Sequence, residues 1–188
     1  MDATAENPLA VPDAASWHDW LARHHASATE AHVLVGRQST KRTSLRSADA
    51  LDTALCFGWI DSVRRRWDVE TFVQRYSPRR PGSPWSAVNV AKVEALLAAH
   101  RMAPAGLAEV AAAQADGRWA AAYPAQRDAV TPDDLAAAIA ADPVADARWA
   151  GLGRTEQYAV MLPVLRAVGG VRRERAVLAA VRRLARDT

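Results

Sequence analysis

A chain of 188 residues with formal net charge +3, half of it apolar and about a quarter charged, has the balance of an ordinary globular protein, with one substantial core and room for two closely packed subdomains at most. Lys41 and Lys92 are its only lysines, and so Ala- and Arg-rich a composition is the kind a GC-rich genome imposes, which makes arginine count weak support for a nucleic-acid partner. The single cysteine, Cys56, excludes an internal disulfide, no run approaches the roughly 20 apolar residues of a spanning helix, and the acidic start lacks a signal-peptide pattern, so the expected compartment is the cytoplasm.

Residues 1–13 read as a flexible leader, broken by Pro8 and Pro12. Ser16 then offers a helix cap with Asp19 three residues on, and Trp17, Trp20, Leu21 and His24 fall on one helical face. Residues 31–37 are β-branched and short, a strand ended by Gly36 and the polar run after it. Ser47 is the expected cap of a second helix carrying Ala50, Leu51, Ala54 and Leu55, closed at Phe57 and Gly58 by a left-handed glycine. Two strands follow, over 59–66 and 71–76, joined near Asp68 as a hairpin in which Phe72, Gln74 and Tyr76 share a face.

Beyond the turn at 78–84 the chain reads as helical. Val90, Val93, Leu96 and Leu97 line a helix from near Trp85, and Pro104 opens another, with Leu107, Val110 and Ala111 inward and Gly117 at its end. Thr131, Pro132 and the two following acids signal a helix start with proline in the first position; Asp142 and Pro143 repeat it. A helix from about Thr155 bears Tyr158, Met161, Leu162 and Leu165, with Pro163 predicting a kink or a late start, and the last helix runs from about Val171 with Val171, Leu178, Val181 and Leu184 inward. The fold class is α+β: a small antiparallel sheet with helices in the N-terminal half (14–84) and a helical C-terminal half (85–188) packed against it, forming one compact unit.

The stretch from 54 to 68, ALCFGWIDSVRRRWD, is followed by RYSPRRPGSPWSAVNVAKVEALLAAHRMAPAGL over 75–107, then ADGRW and AAYP. This ordered series resembles the YdeI/OmpD-associated, bacteriocin-protection family over about 51–123, with looser similarity from Trp17 to about Leu165. The chain departs from the family pattern at residues 167–173 and at His100, where a glycine is usual. The resemblance implies a bacterial protein linked to tolerance of bacteriocins or antimicrobial peptides, with no established reaction.

Asp61, Arg64, Arg75, Tyr76, Arg79 and Arg80 crowd the hairpin and its exit, ahead of Trp85, Ser86 and Asn89. A helix start beside two arginines suits a carboxylate or phosphate, so the expected site is an anion-binding cleft of Arg64, Arg79, Arg80, Ser86 and Asn89 with Trp59 and Trp85 as apolar wall. Each residue also has a purely structural reading: Asp61 pairing an arginine, Ser86 capping, Asn89 tying the loop. The alternative use of the same cleft is enzymatic, with Asp61 as general acid/base and Tyr76 as donor acting on a carboxylate- or phosphate-bearing molecule.

Cys56 reads as a buried, inert thiol. His18, His24, His25 and His32 lack a recognised ligand spacing, so no metal is expected. Phosphate-loop, dinucleotide and hydrolase fingerprints are missing from the sequence, and no cofactor is expected. Arg172, Arg175, Arg182 and Arg186 mark one side of the last helix, with Arg173 and Arg183 beside them; a solvated face is the first reading, and a nucleic acid or an anionic membrane surface the less expected partner.

Overall fold

The computed structural model describes residues 4–37 and 45–186. The start of the leader and the polar run after the first strand fall partly outside the described residues. Two compact units emerge: Met1–Ser83 with Ala91–Ala115, and Pro84–Val90 with Asp116–Thr188.

In the first unit, helix α1 (Ala14–His24) is capped by Asp13, whose carboxylate accepts from Ser16 N at 2.8 Å. The cap is therefore Asp13 and not Ser16: with Pro12 before it, Asp13 takes the extended cap geometry, and Ser16 becomes the donor in the first turn. Trp17 and Leu21, four apart, are the buried stripe. Strand β1 (Ala31–Gly36) turns Ala31, Val33 and Val35 inward, and Leu9 of the expected leader joins its edge through Leu9 N to His32 O (2.7 Å) and Leu34 N to Leu9 O (2.9 Å).

Helix α2 (Ser47–Cys56) has Arg46 at the cap position with no side-chain bond, which corrects the expected Ser47 cap. The Ser47 hydroxyl instead accepts from the Arg64 guanidinium at 3.2 Å. Gly58, at φ +73, ends the helix as expected and hands the chain to strand β2 (Trp59–Arg66), which pairs antiparallel with β3 (Thr71–Pro78). Asp68 sets that turn by accepting from Glu70 N, Thr71 N and the Thr71 hydroxyl at 2.6 to 2.8 Å. The sheet, three-stranded among the described residues, has order β1-β3-β2, both pairings antiparallel.

Register slips between Asp61 and Arg64, and the buried Gln74 of the central strand answers the irregularity. Its amide nitrogen donates to Ser62 O (3.3 Å) and Val63 O (3.2 Å), while its oxygen accepts from Arg64 Nε (3.0 Å). A bulge that would strand carbonyls is thereby satisfied from a neighbouring strand.

Helix α3 (Ala87–Ala98) begins two residues later than expected, because the Ser86 hydroxyl accepts from Asn89 N at 3.2 Å. Helix α4 (Pro104–Ala115) buries Gly106, Val110 and Ala113, whereas Leu107, expected inward, is exposed. The face holding Gly106 meets the end of α2 at backbone distance, with Ala103 N donating to Cys56 O (3.0 Å), and Leu107 lies one residue round the helix from that approach.

In the second unit, Trp85 is buried with its ring 4.9 Å from Trp119, and Tyr123 N donates to Trp85 O. Helix α5 (Asp133–Ala140) has Pro132 at the cap itself, so the proline precedes the first helical position by one residue. Helix α6 (Pro143–Gly151) starts as its sequence signals, Asp142 accepting from Val144 N and Ala145 N with Pro143 first. Helix α7 (Arg154–Leu165) runs through Pro163 without a late start: proline near the C-terminal end costs one backbone bond in the last turn. Leu135, Ile139, Ala145, Val160, Met161 and Val164 form the core with helix α8 (Gly170–Arg186).

The α8 contribution to that core is Val177, Ala180 and Leu184. Val171 and Leu178, expected inward, are 63% and 54% exposed. Leu184, expected inward, is buried and Val181 packs partly buried against the core, so the apolar face of α8 is shifted toward Val177 and Ala180, which leaves Val171 and Leu178 in solvent.

Candidate functional site in the first unit

A cleft of about 450 Å³ opens where the α2–β2 turn, the end of β3 and helix α4 converge. Gly58 makes the turn and places Trp59; Gly58 O accepts from Arg79 N at 3.0 Å, fixing the β3 exit beside it. Gly106 brings α4 close: a Cβ at that position would stand 2.2 Å from Cys56 O. One turn further on the same helical face, Glu109 enters the cleft.

Arg79 and Glu109 form an ion pair, Nε to Oε1 3.6 Å, with the arginine side chain only 3% exposed. Burying a guanidinium this deeply requires a carboxylate partner, since the desolvation cost of the charge is several kcal/mol without one. His25, at the end of α1, completes the lining. Its Nδ1 lies 2.9 Å from Leu21 O; a carbonyl only accepts, so Nδ1 carries the proton of that bond. Trp59 Nε1 donates to His25 O at 3.3 Å, and Phe57 stands 5.3 Å from the imidazole. A cation, a carboxylate, an imidazole and an indole wall thus share one opening.

Of the residues expected from sequence, Trp59 and Arg79 meet in this cleft. Arg64 is committed to the sheet: it stacks on Phe72 at 4.0 Å and bonds Gln74 and Ser47. Arg80 is exposed, and Arg75 holds Glu30 through two bonds of 2.6 and 2.8 Å. Trp85, Ser86 and Asn89 belong to the second unit, where Ser86 caps α3. Asp61 and Tyr76 face each other across β2 and β3. Burial pushes the Asp61 carboxyl above its ordinary value, with the nearby Arg64 charge opposing; burial likewise raises the Tyr76 phenol, and the Asp61 charge adds to it.

Sequence reasoning missed Glu109 and assigned His25 no role. The usable signal for Glu109 was Gly106, a glycine inside a helix three residues before it, which marks close backbone approach. Cys56 is buried and its thiol raised chiefly by burial, in keeping with an inert thiol. Among the described residues no group of three His, Cys, Asp or Glu side chains could hold a metal ion, and no helix is long and apolar enough to cross a membrane.

The architecture is that of an α+β protein in two units, a helix-bearing antiparallel sheet with a charged cleft and a helical bundle. By sequence comparison the chain belongs to the family described as Domain of unknown function (DUF8412), whose model matches residues 9–109, more than half its length; residues 128–187 match the model described as Bacteriocin-protection, YdeI or OmpD-Associated. The expected YdeI/OmpD-associated resemblance is therefore found, on residues 128–187, while the blocks at 54–68 and 75–107 both fall within the DUF8412 match. No curated protein and no solved structure matches the chain.

Proposed function

We propose that this chain is an accessory binding protein of the bacteriocin-protection type, acting in the bacterial cytoplasm, which recognises the anionic group of a small molecule or peptide in the first unit's cleft. The observation that carries this reading is the buried Arg79 guanidinium on the wall of an opening that also presents Trp59. A guanidinium offers five donors in a planar fork matched to a carboxylate or phosphate, and the indole supplies apolar contact to the rest of the ligand. The Glu109 carboxylate favours a ligand that also bears a hydrogen-bond donor or an amine beside its anionic group, as the end of a peptide does.

The test is a thermal-shift and native mass-spectrometry screen against extract metabolites and short peptides, with the wild type and an Arg79→Gln/Glu109→Gln double variant. Removing both charges together keeps the shape without stranding either one. A ligand that stabilises the wild type and not the double variant supports the reading; a ligand held equally by both, or none at all, refutes it.

A second, enzymatic reading rests on Asp61, whose raised carboxyl beside Tyr76 suits a general acid better than an arginine-paired carboxylate would. Conversion of a bound ligand by the wild type, lost in Asp61→Asn with binding intact, separates this reading from simple binding.

A further inference from the structure

Helix α8 carries six arginines and one carboxylate, Glu174. With Val177, Ala180 and Leu184 inward, Arg175, Arg182 and Arg186 fall along one outward line, at positions i, i+7 and i+11, and Arg172 and Arg183 stand beside it. From Arg175 to Arg186 the line covers about 16 Å of helix axis at about 1.5 Å per residue. A depression of about 560 Å³ follows it, walled by Arg175, Arg182, Arg183 and Arg186 and floored by Leu178 and Ala179. Ala179 sits at the middle, with Arg175 one turn before it and Arg182 and Arg183 one turn after. Ion pairs elsewhere in this unit join Arg118 to Asp116, Arg127 to Asp128 and Arg173 to Asp134, and use none of the arginines on the line.

We propose that this face of α8 binds the phosphate backbone of a nucleic acid. A single carboxylate or phosphate monoester engages one or two of these guanidiniums, whereas a line of about 16 Å matches several successive charges of a polyphosphate chain, since a duplex carries one negative charge per roughly 1.7 Å of axis. The small Ala179 lets the backbone approach the helix between the arginines. An anionic bilayer is the poorer fit, because the large apolar side chains turned outward on α8, Val171 and Leu178, are too few to enter the boundary between headgroups and acyl chains. The recognition is of charge and spacing, so it is insensitive to base sequence. It does not depend on the first unit's cleft.

The experiment uses the full chain and fluorescence anisotropy with a labelled DNA duplex of about 20 base pairs and the corresponding single strand, alongside sedimentation with phosphatidylglycerol-containing vesicles. With four to five phosphates neutralised, affinity for the duplex is expected to fall by on the order of a hundredfold between about 50 and 200 mM salt. Arg175→Ala/Arg182→Ala is expected to weaken binding and flatten the salt slope by about two, while Arg127→Ala, elsewhere in the unit, leaves both unchanged. Because both altered arginines are exposed, unchanged circular dichroism and Tm serve as the folding check. The proposal is overturned by the absence of binding to either nucleic acid at low salt, by equal binding in the double variant, or by vesicle binding without nucleic-acid binding, which would make the face a membrane surface.

Discussion

Gly106 of α4 lies so close to Cys56 at the end of α2 that a Cβ built on the glycine would stand 2.2 Å from the Cys56 carbonyl oxygen. That oxygen also accepts from Ala103 N, so the approach is held by a hydrogen bond and not only by packing. Gly106→Ala must push the helix away, and overpacking of this sort costs about 1–3 kcal/mol. The expected result is a lower Tm together with weakened ligand stabilisation, because Glu109 moves with α4. Unchanged stability in Gly106→Ala would mean that α4 has freedom to retreat.

The Arg79–Glu109 pair gives a second expectation. Glu109→Gln removes the carboxylate paired with the buried guanidinium and is expected to cost about 3–5 kcal/mol, whereas the Arg79→Gln/Glu109→Gln double variant costs markedly less. Urea denaturation of the wild type, each single variant and the double variant measures this coupling. Additive losses would show that the two charges do not depend on each other.

For Asp61 the pH dependence has a definite sign. Its carboxyl is raised in the folded state, so the folded protein binds this proton more tightly than the unfolded chain, and stability falls as pH rises from the unfolded value through the folded one. Asp61→Asn is therefore expected to be more stable than wild type at neutral pH, with the advantage vanishing as pH is lowered below the ordinary carboxylate range. Glu30 and Asp134, held low by Arg75 and Arg173, act in the opposite sense and lose their contribution on acidification. Thermal melts of both proteins from acid to neutral pH decide it; a constant difference would show that Asp61 titrates as an ordinary carboxyl.

Gln74 supplies a local test of the sheet. Gln74→Leu keeps the volume but leaves the carbonyls of Ser62 and Val63 at the bulge without their buried donor and Arg64 Nε without its acceptor, a loss of about 1–3 kcal/mol. Amide hydrogen exchange should quicken along β2 before other strands. Protection unchanged across β2 would assign the bulge to backbone bonding alone.

The rotation of α8 is equally checkable. Leu184→Ala empties a core position and is expected to cost about 2–5 kcal/mol, while Leu178→Ala, on the outward face, stays within about 0.5 kcal/mol. Comparable losses at both positions would restore the inward row expected from sequence.

Element order and type were largely legible from the chain itself: the face shared by Phe72, Gln74 and Tyr76, the glycine at 58 and the Asp142–Pro143 start are local signals, and a helix or strand obeys them because backbone geometry and capping act within a few residues. The α+β class and the YdeI/OmpD-associated resemblance were read from that same local information. What the chain could not display was that Val177 and Ala180 of α8, and not Val171 and Leu178, would join Leu184 inward, that Asp13 would outcompete Ser16 as a cap, or that Ser47 would serve Arg64. Those choices belong to neighbours distant in sequence. The cleft divides in the same way. Trp59 and Arg79 stood out as an aromatic and a cation beside a turn, but Glu109 and His25 join them only because Gly106 lets α4 meet the end of α2, and a contact between residues dozens of positions apart leaves no periodicity in the sequence to be read.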